Sequence, residues 1–236
     1  MTRLAEVADL LRGRRPGAGP FVVGVTGGVA AGKSAFASEL ASALAAWPER
    51  PAVEVVGTDG FLFDNATLKA RQLTQRKGFP ESYDREALRA ALAAIRVGPT
   101  EFPGYSHAIY DLDPALVRRL DPPDVLIIEG LGLHEPPATT GLDALVYLDA
   151  PEALLQAWYA ERFIAFWRAA ADDPTSFYVR FRHLDEAQTR EAAAMVWEAT
   201  NLPNLRDHIV RARDHAHVIV RKGEGHAIEA VIAPDR

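Results

Sequence analysis

Eight consecutive residues, Gly27-Gly28-Val29-Ala30-Ala31-Gly32-Lys33-Ser34, carry the densest chemical information in this chain. They fit G-x-x-x-x-G-K-[ST], a glycine-rich loop whose backbone N–H groups surround a phosphate. The apolar run Phe21-Val22-Val23-Gly24-Val25 enters the loop and an Ala-rich helical stretch leaves it, so a helix N-terminus points at the same anion. Gly27, Gly28, Val29, Ala30, Ala31 and Gly32 are therefore read as the cradle of a nucleotide phosphate. Lys33 is expected to reach the outer phosphates. Ser34 is expected to hold Mg²⁺ through its hydroxyl, since Mg²⁺ takes hard oxygen ligands and is usually shared with substrate phosphates.

Two carboxylates follow other apolar runs. Thr58-Asp59-Gly60-Phe61 ends the run that begins at Val53, and Glu129-Gly130 ends the run that begins at Val125. In open α/β sheets ligands bind outside the carboxyl ends of the strands, so both acids belong beside the loop. Two such acids can divide the work of a phosphoryl transfer: one accepts the proton of an attacking hydroxyl, the other orders metal-bound water or the base. Taken singly, Asp59 also suits a helix cap or a turn, and Glu129 is equally ambiguous. Their joint placement next to the loop favours chemistry.

The elements that must hold these residues are legible in outline. A chain of 236 residues, 48% of them hydrophobic, can bury a substantial core. Apolar runs over Phe21 to Thr26, Val53 to Thr58, Val125 to Glu129, Ala144 to Asp149 and Val218 to Arg221 read as strands, with a final one from Ala227 to Ile232. Helical patterns fill Lys33 to Ala46, Arg85 to Ile95, Glu152 to Ala170 and Glu186 to Thr200, with Asp84 as an N-cap and Pro151 at a first turn. This alternation predicts an α/β fold, three-layered, with a mostly parallel sheet flanked by helices. Residues 1–20 read as a short amphipathic helix (Leu4, Val7, Leu10, Leu11) and a linker, and 21–236 as one domain. Pro122-Pro123 and Pro136-Pro137 read as loops flanking the third strand.

Composition excludes several classes. A net charge of −6 argues against an extended nucleic-acid surface. The absence of cysteine rules out disulfides, thiolate nucleophiles and Cys-based zinc sites, and is compatible with the cytoplasm, where we expect the protein. No apolar run approaches bilayer length, so no membrane partner is expected. His215 and His217, two apart at a strand edge, lack a third ligand and are assigned no metal.

Further segments are specific enough to name a resemblance. Gly27 to Ser34, Thr58-Asp59-Gly60-Phe61-Leu62, Lys77-Gly78-Phe79-Pro80-Glu81-Ser82-Tyr83-Asp84, Tyr105-Ser106-His107-Ala108-Ile109-Tyr110-Asp111 and Leu126-Ile127-Ile128-Glu129-Gly130-Leu131 together resemble the type I (bacterial) pantothenate kinases in order and spacing. The likeness continues through Asp149-Ala150-Pro151-Glu152, Gln156-Ala157-Trp158-Tyr159, Arg162-Phe163 and Trp197-Glu198-Ala199-Thr200-Asn201, and reaches Lys222 and His226.

The resemblance implies a P-loop kinase that uses ATP and Mg²⁺ to phosphorylate the primary hydroxyl of pantothenate, towards coenzyme A. It implies Asp59 as general base, and contacts to pantothenate or the moving phosphate from Lys77, His107, Tyr110, Tyr159, Arg162 and Asn201. Arg162 would stabilise charge on the phosphoryl group. Lys222 and His226 fall near the nucleotide base; a strand-end lysine and a solvent-facing histidine are the alternative. Inhibition by coenzyme A and a homodimer are implied as well. Leu155, Tyr159, Phe163 and Phe166 recur at helical spacing, with Leu155 read as core and the aromatics as lining the acceptor's tail.

Three departures stand beside the matches. The chain begins a short way before the P-loop, where the family carries a longer helical region. Gly132 stands where the family usually has Asn, in an abbreviated segment after Glu129. Ala171 replaces a common aromatic, which predicts a wider tail pocket or weaker inhibition by coenzyme A. A kinase of the same fold acting on a nucleoside, sugar or hydroxy acid is the second reading, and a nucleotide-binding regulatory module the third.

Overall fold

The protein is described from a computed structural model, which covers residues 2–133 and 141–234. In chain order its elements are α1 (Arg3–Arg12), β1 (Phe21–Gly27), α2 (Lys33–Ala45), β2 (Val53–Gly57), α3 (Asn65–Ala70), α4 (Arg85–Ala94), β3 (Thr100–Phe102), β4 (Tyr105–Ser106), β5 (Asp111–Leu112), β6 (Arg118–Leu120), β7 (Val125–Glu129), β8 (Ala144–Asp149), α5 (Glu152–Ala169), α6 (Glu186–Val196), α7 (Leu202–Asp207), β9 (Val218–Lys222) and β10 (Ile228–Ile232). The loop expected around Pro136-Pro137 lies outside the described residues.

Six strands form the central sheet in the order β10-β9-β8-β1-β7-β2. All neighbours run parallel except the terminal β10, which pairs antiparallel with β9. β1 sits in the middle and is buried along its whole length, as a strand covered by helices on both faces must be. Its residues Phe21, Val22, Val23 and Val25 share one core with Phe36, Leu40 and Leu44 of α2 and with the apolar residues of β7 and β8. Each fully buried side chain of that size contributes roughly 1.5–3 kcal/mol. Val7, Ala8 and Leu11 of α1 belong to the same core. A polar clip closes the far end of the sheet: Asp143 Oδ2 accepts from Val22 N–H at 2.8 Å and from Arg96 Nη2 at 3.0 Å.

All six strands of the sheet lie where the apolar runs predict them, within a residue at each end. The expected helix from Glu186 to Thr200 forms and runs on to Asp207, with one wide turn inside it. α6 ends at Val196, a wide turn covers Trp197–Asn201, and α7 follows. The cause is covalent: Pro203, in the first turn of α7, has no N–H to donate, and the Leu202 N–H bonds to the Trp197 carbonyl five residues back. The ladders β3/β6 and β4/β5, two or three residues each, are too short to leave a period in the sequence.

Candidate active site

The carboxyl ends of β1, β2 and β7 open on a cavity of about 400 Å³. β1 ends in Gly27, whose φ of +149° and approach to β8 leave no room for a side chain, since a Cβ there would lie 2.5 Å from the Leu148 carbonyl oxygen. The loop that follows turns back at Ala30, which adopts φ +63°, and α2 starts at Lys33. Lys33 Nζ donates to the carbonyls of Gly28 (2.9 Å) and Gly27 (3.3 Å). Burial holds its pKa below the ordinary lysine value against the pull of Glu129 and Asp59. Ser34 Oγ donates to Glu129 Oε1 at 2.8 Å. Burial raises the Glu129 pKa, with Lys33 opposing.

After β2 the chain enters a tight turn, Thr58–Phe61, that brings Asp59 into the cavity. Tyr83 Oη donates to Asp59 Oδ1 at 3.1 Å, and His107 Nε2 stands 3.8 Å from Oδ2. Burial lowers the pKa of His107, while Asp59 favours its charged form. Lys77 Nζ donates to the Tyr110 carbonyl at 2.6 Å and to Asn65 Oδ1 at 2.7 Å. Tyr110 itself is held at φ +57°, a conformation uncommon for a large side chain.

The opposite wall comes from α5 and the turn after α6. Tyr159 and Arg162, three residues apart on α5, both line the cavity, as does Asn201. Phe166 packs 5.5 Å below the Arg162 guanidinium, whose charge reaches Lys33, His107 and Glu129. Asn201 lies beside Tyr159, and its buried Nδ2 lacks a well-formed hydrogen bond. At the outer rim His226 stacks on Trp158 with 3.8 Å between ring centroids. Its Nδ1 and Lys222 Nζ lie 3.1 and 3.5 Å from where a Cβ on Gly32 would stand, so both cover the P-loop.

The cavity thus gathers Lys33, Ser34, Asp59, Lys77, His107, Tyr110, Glu129, Tyr159, Arg162, Asn201 and His226. Lys222 does not line it, though its Nζ reaches the P-loop at Gly32 beside His226. Tyr83, Tyr105, Trp158 and Tyr178 also line the cavity and received no role from the sequence. Tyr83 and Tyr105 sit inside the Lys-Gly-Phe-Pro-Glu-Ser-Tyr and Tyr-Ser-His segments, so their place in those motifs was the available signal.

Residues 22–166 match the Phosphoribulokinase / Uridine kinase family. Over 97% of the chain, and 74% of the relative, it is 40% identical to the pantothenate kinase of Parvibaculum lavamentivorans. The same identity holds to the pantothenate kinase of Sorangium cellulosum over 97% of this chain and 77% of that one. A crystal structure of a putative fructose transport system kinase from Silicibacter superposes with a TM-score of 0.72 at 26% identity, covering 91% of this chain and 95% of the other. Phosphoribulokinase from Rhodobacter spheroides shares the fold alone, with a TM-score of 0.55 at 14% identity, over 86% of this chain and 70% of that one. The chain therefore belongs to the pantothenate kinases, within the phosphoribulokinase and uridine kinase family of P-loop kinases.

Proposed function

We propose that this protein transfers the γ-phosphoryl group of ATP to the primary hydroxyl of pantothenate. The observation that carries the reading is one cavity in which a P-loop lysine faces a carboxylate and imidazole on one wall and a tyrosine, arginine and orphaned amide on the other. The relatives' name supplies the acceptor. Pantothenate brings a carboxylate, an amide and hydroxyls, which call for a cation, amide groups and phenols in an otherwise apolar pocket.

Asp59 takes the proton of the acceptor hydroxyl, and Arg162 and Lys33 balance the negative charge that spreads over the moving phosphoryl. Lys77, His107, Tyr110, Tyr159 and Asn201 hold the acceptor. Lys222 and His226 close over the nucleotide. The Ser34 hydroxyl and Glu129 carboxylate form a hard-oxygen pair that fits Mg²⁺, and no cluster of three or more His, Asp or Glu suited to a metal exists among the described residues. Held there, such an ion would neutralise phosphate charge.

We extend the proposal to a cytoplasmic homodimer inhibited by coenzyme A. No described helix is long and apolar enough to cross a membrane. Analytical centrifugation over a concentration series tests the dimer, and a concentration-independent monomer mass refutes it. A screen of hydroxylated acceptors by ADP release tests the activity. Pantothenate-dependent release is the expected result. The likeness to the fructose transport system kinase makes a sugar the competing acceptor, and release without any acceptor removes both.

A further inference from the structure

Tyr83 has no part in the reading above, yet its Oη donates to Asp59 Oδ1 at 3.1 Å, while the other oxygen of the same carboxylate lies 3.8 Å from His107 Nε2. The ring is fixed before it reaches Asp59. Leu62 and Tyr83 form an antiparallel bridge, extended on either side by Phe63 N–H to the Ser82 carbonyl (2.9 Å) and Asp84 N–H to the Phe61 carbonyl (2.8 Å). One ring face lies against Gly132, where a Cβ would meet three ring carbons at 3.6 Å. Only 4% of Tyr83 is exposed. Burial first, and then the charge of Asp59, push its pKa well above the ordinary tyrosine value, which keeps it a donor.

We infer that Tyr83 is a positioning residue for phosphoryl transfer: it holds Oδ1 of Asp59 so that Oδ2 alone faces the acceptor hydroxyl. The inference rests on Asp59 as the base. The terminal torsion of aspartate is broad and twofold, so an untethered carboxylate spends much of its time turned away from the proton it must accept. In the step itself the acceptor O–H bond breaks and its proton goes to Oδ2. The freed oxygen bonds the γ-phosphorus, and ADP leaves with the electron pair of the broken P–O bond.

The test is Tyr83→Phe, assayed with ATP and pantothenate. Loss of a hydrogen bond to a charged group predicts a drop in kcat of roughly 10-fold or more, with both KM values within about twofold of the parent. Placing 4-fluorophenylalanine at position 83 fills the space of the hydroxyl without donating and reproduces the loss; 4-aminophenylalanine restores a donor and recovers most of the turnover. In an Asp59→Asn background, adding Tyr83→Phe changes kcat by less than about twofold, because the group it positions is gone. Recovery with the fluoro analogue, an unchanged kcat in Tyr83→Phe, or the same fold-loss in both backgrounds overturns the inference. Full turnover by Asp59→Asn alone overturns the base assignment instead.

Discussion

The hydroxyl of Ser34 donates to Oε1 of Glu129 at 2.8 Å, tying the first turn of α2 to the carboxyl end of β7 across 95 residues of sequence. The pair puts one neutral and one charged oxygen donor beside the P-loop. Replacing the acid by its amide keeps the shape and removes the charge. Glu129→Gln is expected to lower turnover about 10- to 100-fold and to raise several-fold the Mg²⁺ concentration needed for half-maximal rate, measured by Mg²⁺ titration at saturating ATP.

Lys33 is half-buried against the carbonyls of Gly27 and Gly28, and desolvation already weighs against its charge. On the proposed function its cation serves phosphate rather than the fold. Lys33→Ala should abolish phosphoryl transfer with a thermal midpoint at or above that of the parent. A folded Lys33→Ala protein with near-normal turnover would remove the P-loop assignment.

Asp59 and the pair Tyr159 and Asn201 occupy opposite walls, so their losses should separate kinetically. Asp59→Asn is expected to reduce kcat by roughly 10²–10⁴-fold with nucleotide affinity nearly unchanged, the usual worth of positioned proton transfer. Tyr159→Phe and Asn201→Ala should act mainly on the acceptor KM. Titrating pantothenate against the three variants at saturating ATP reads the difference.

Lys77 is expected to give the site an alkaline sensitivity. Burial brings its pKa down to about 8, against the pull of Asp111, Asp59 and Asp64. A lysine with a lowered pKa is fully charged below that value and loses its charge as pH rises through it. The acceptor KM should therefore be flat below about pH 7 and climb above about pH 8. Lys77→Met should show a high KM at every pH with no inflection; a parent profile that stays flat to about pH 9.5 would disprove the assignment.

Gly60 supports Asp59 from behind, with the Pro103 carbonyl oxygen 2.0 Å from where a Cβ would stand. Backbone cannot yield as a flexible side chain does. Gly60→Ala should cost about 2–3 kcal/mol of stability, seen by thermal unfolding, and also displace Asp59 enough to lower kcat.

The P-loop, both acids and the six-stranded sheet were legible because each rests on local pattern: an apolar run of buried strand length, then a turn rich in glycine or acid. Helical spacing likewise placed Tyr159 and Arg162 on one face of α5. The tether from Tyr83 to Asp59 was not legible, since it joins residues 24 apart through a bridge that leaves no period in the chain. The left-handed turn at Tyr110 escaped for a related reason. Its carbonyl is fixed by Lys77 from 33 residues away, so tertiary contact overrides what a tyrosine would choose alone.

α1 buries Val7, Ala8 and Leu11 in the core and lies against β9 and β10, the hairpin whose tip carries Lys222, at the end of β9, and His226, in the connection, over the P-loop. The opening residues are thus a buttress for one rim of the catalytic mouth rather than a handle. Trimming them would bare greasy surface and, on the proposed role of that rim, slacken the grip on nucleotide, so a shortened version is expected to lose solubility and ATP affinity in the same cut.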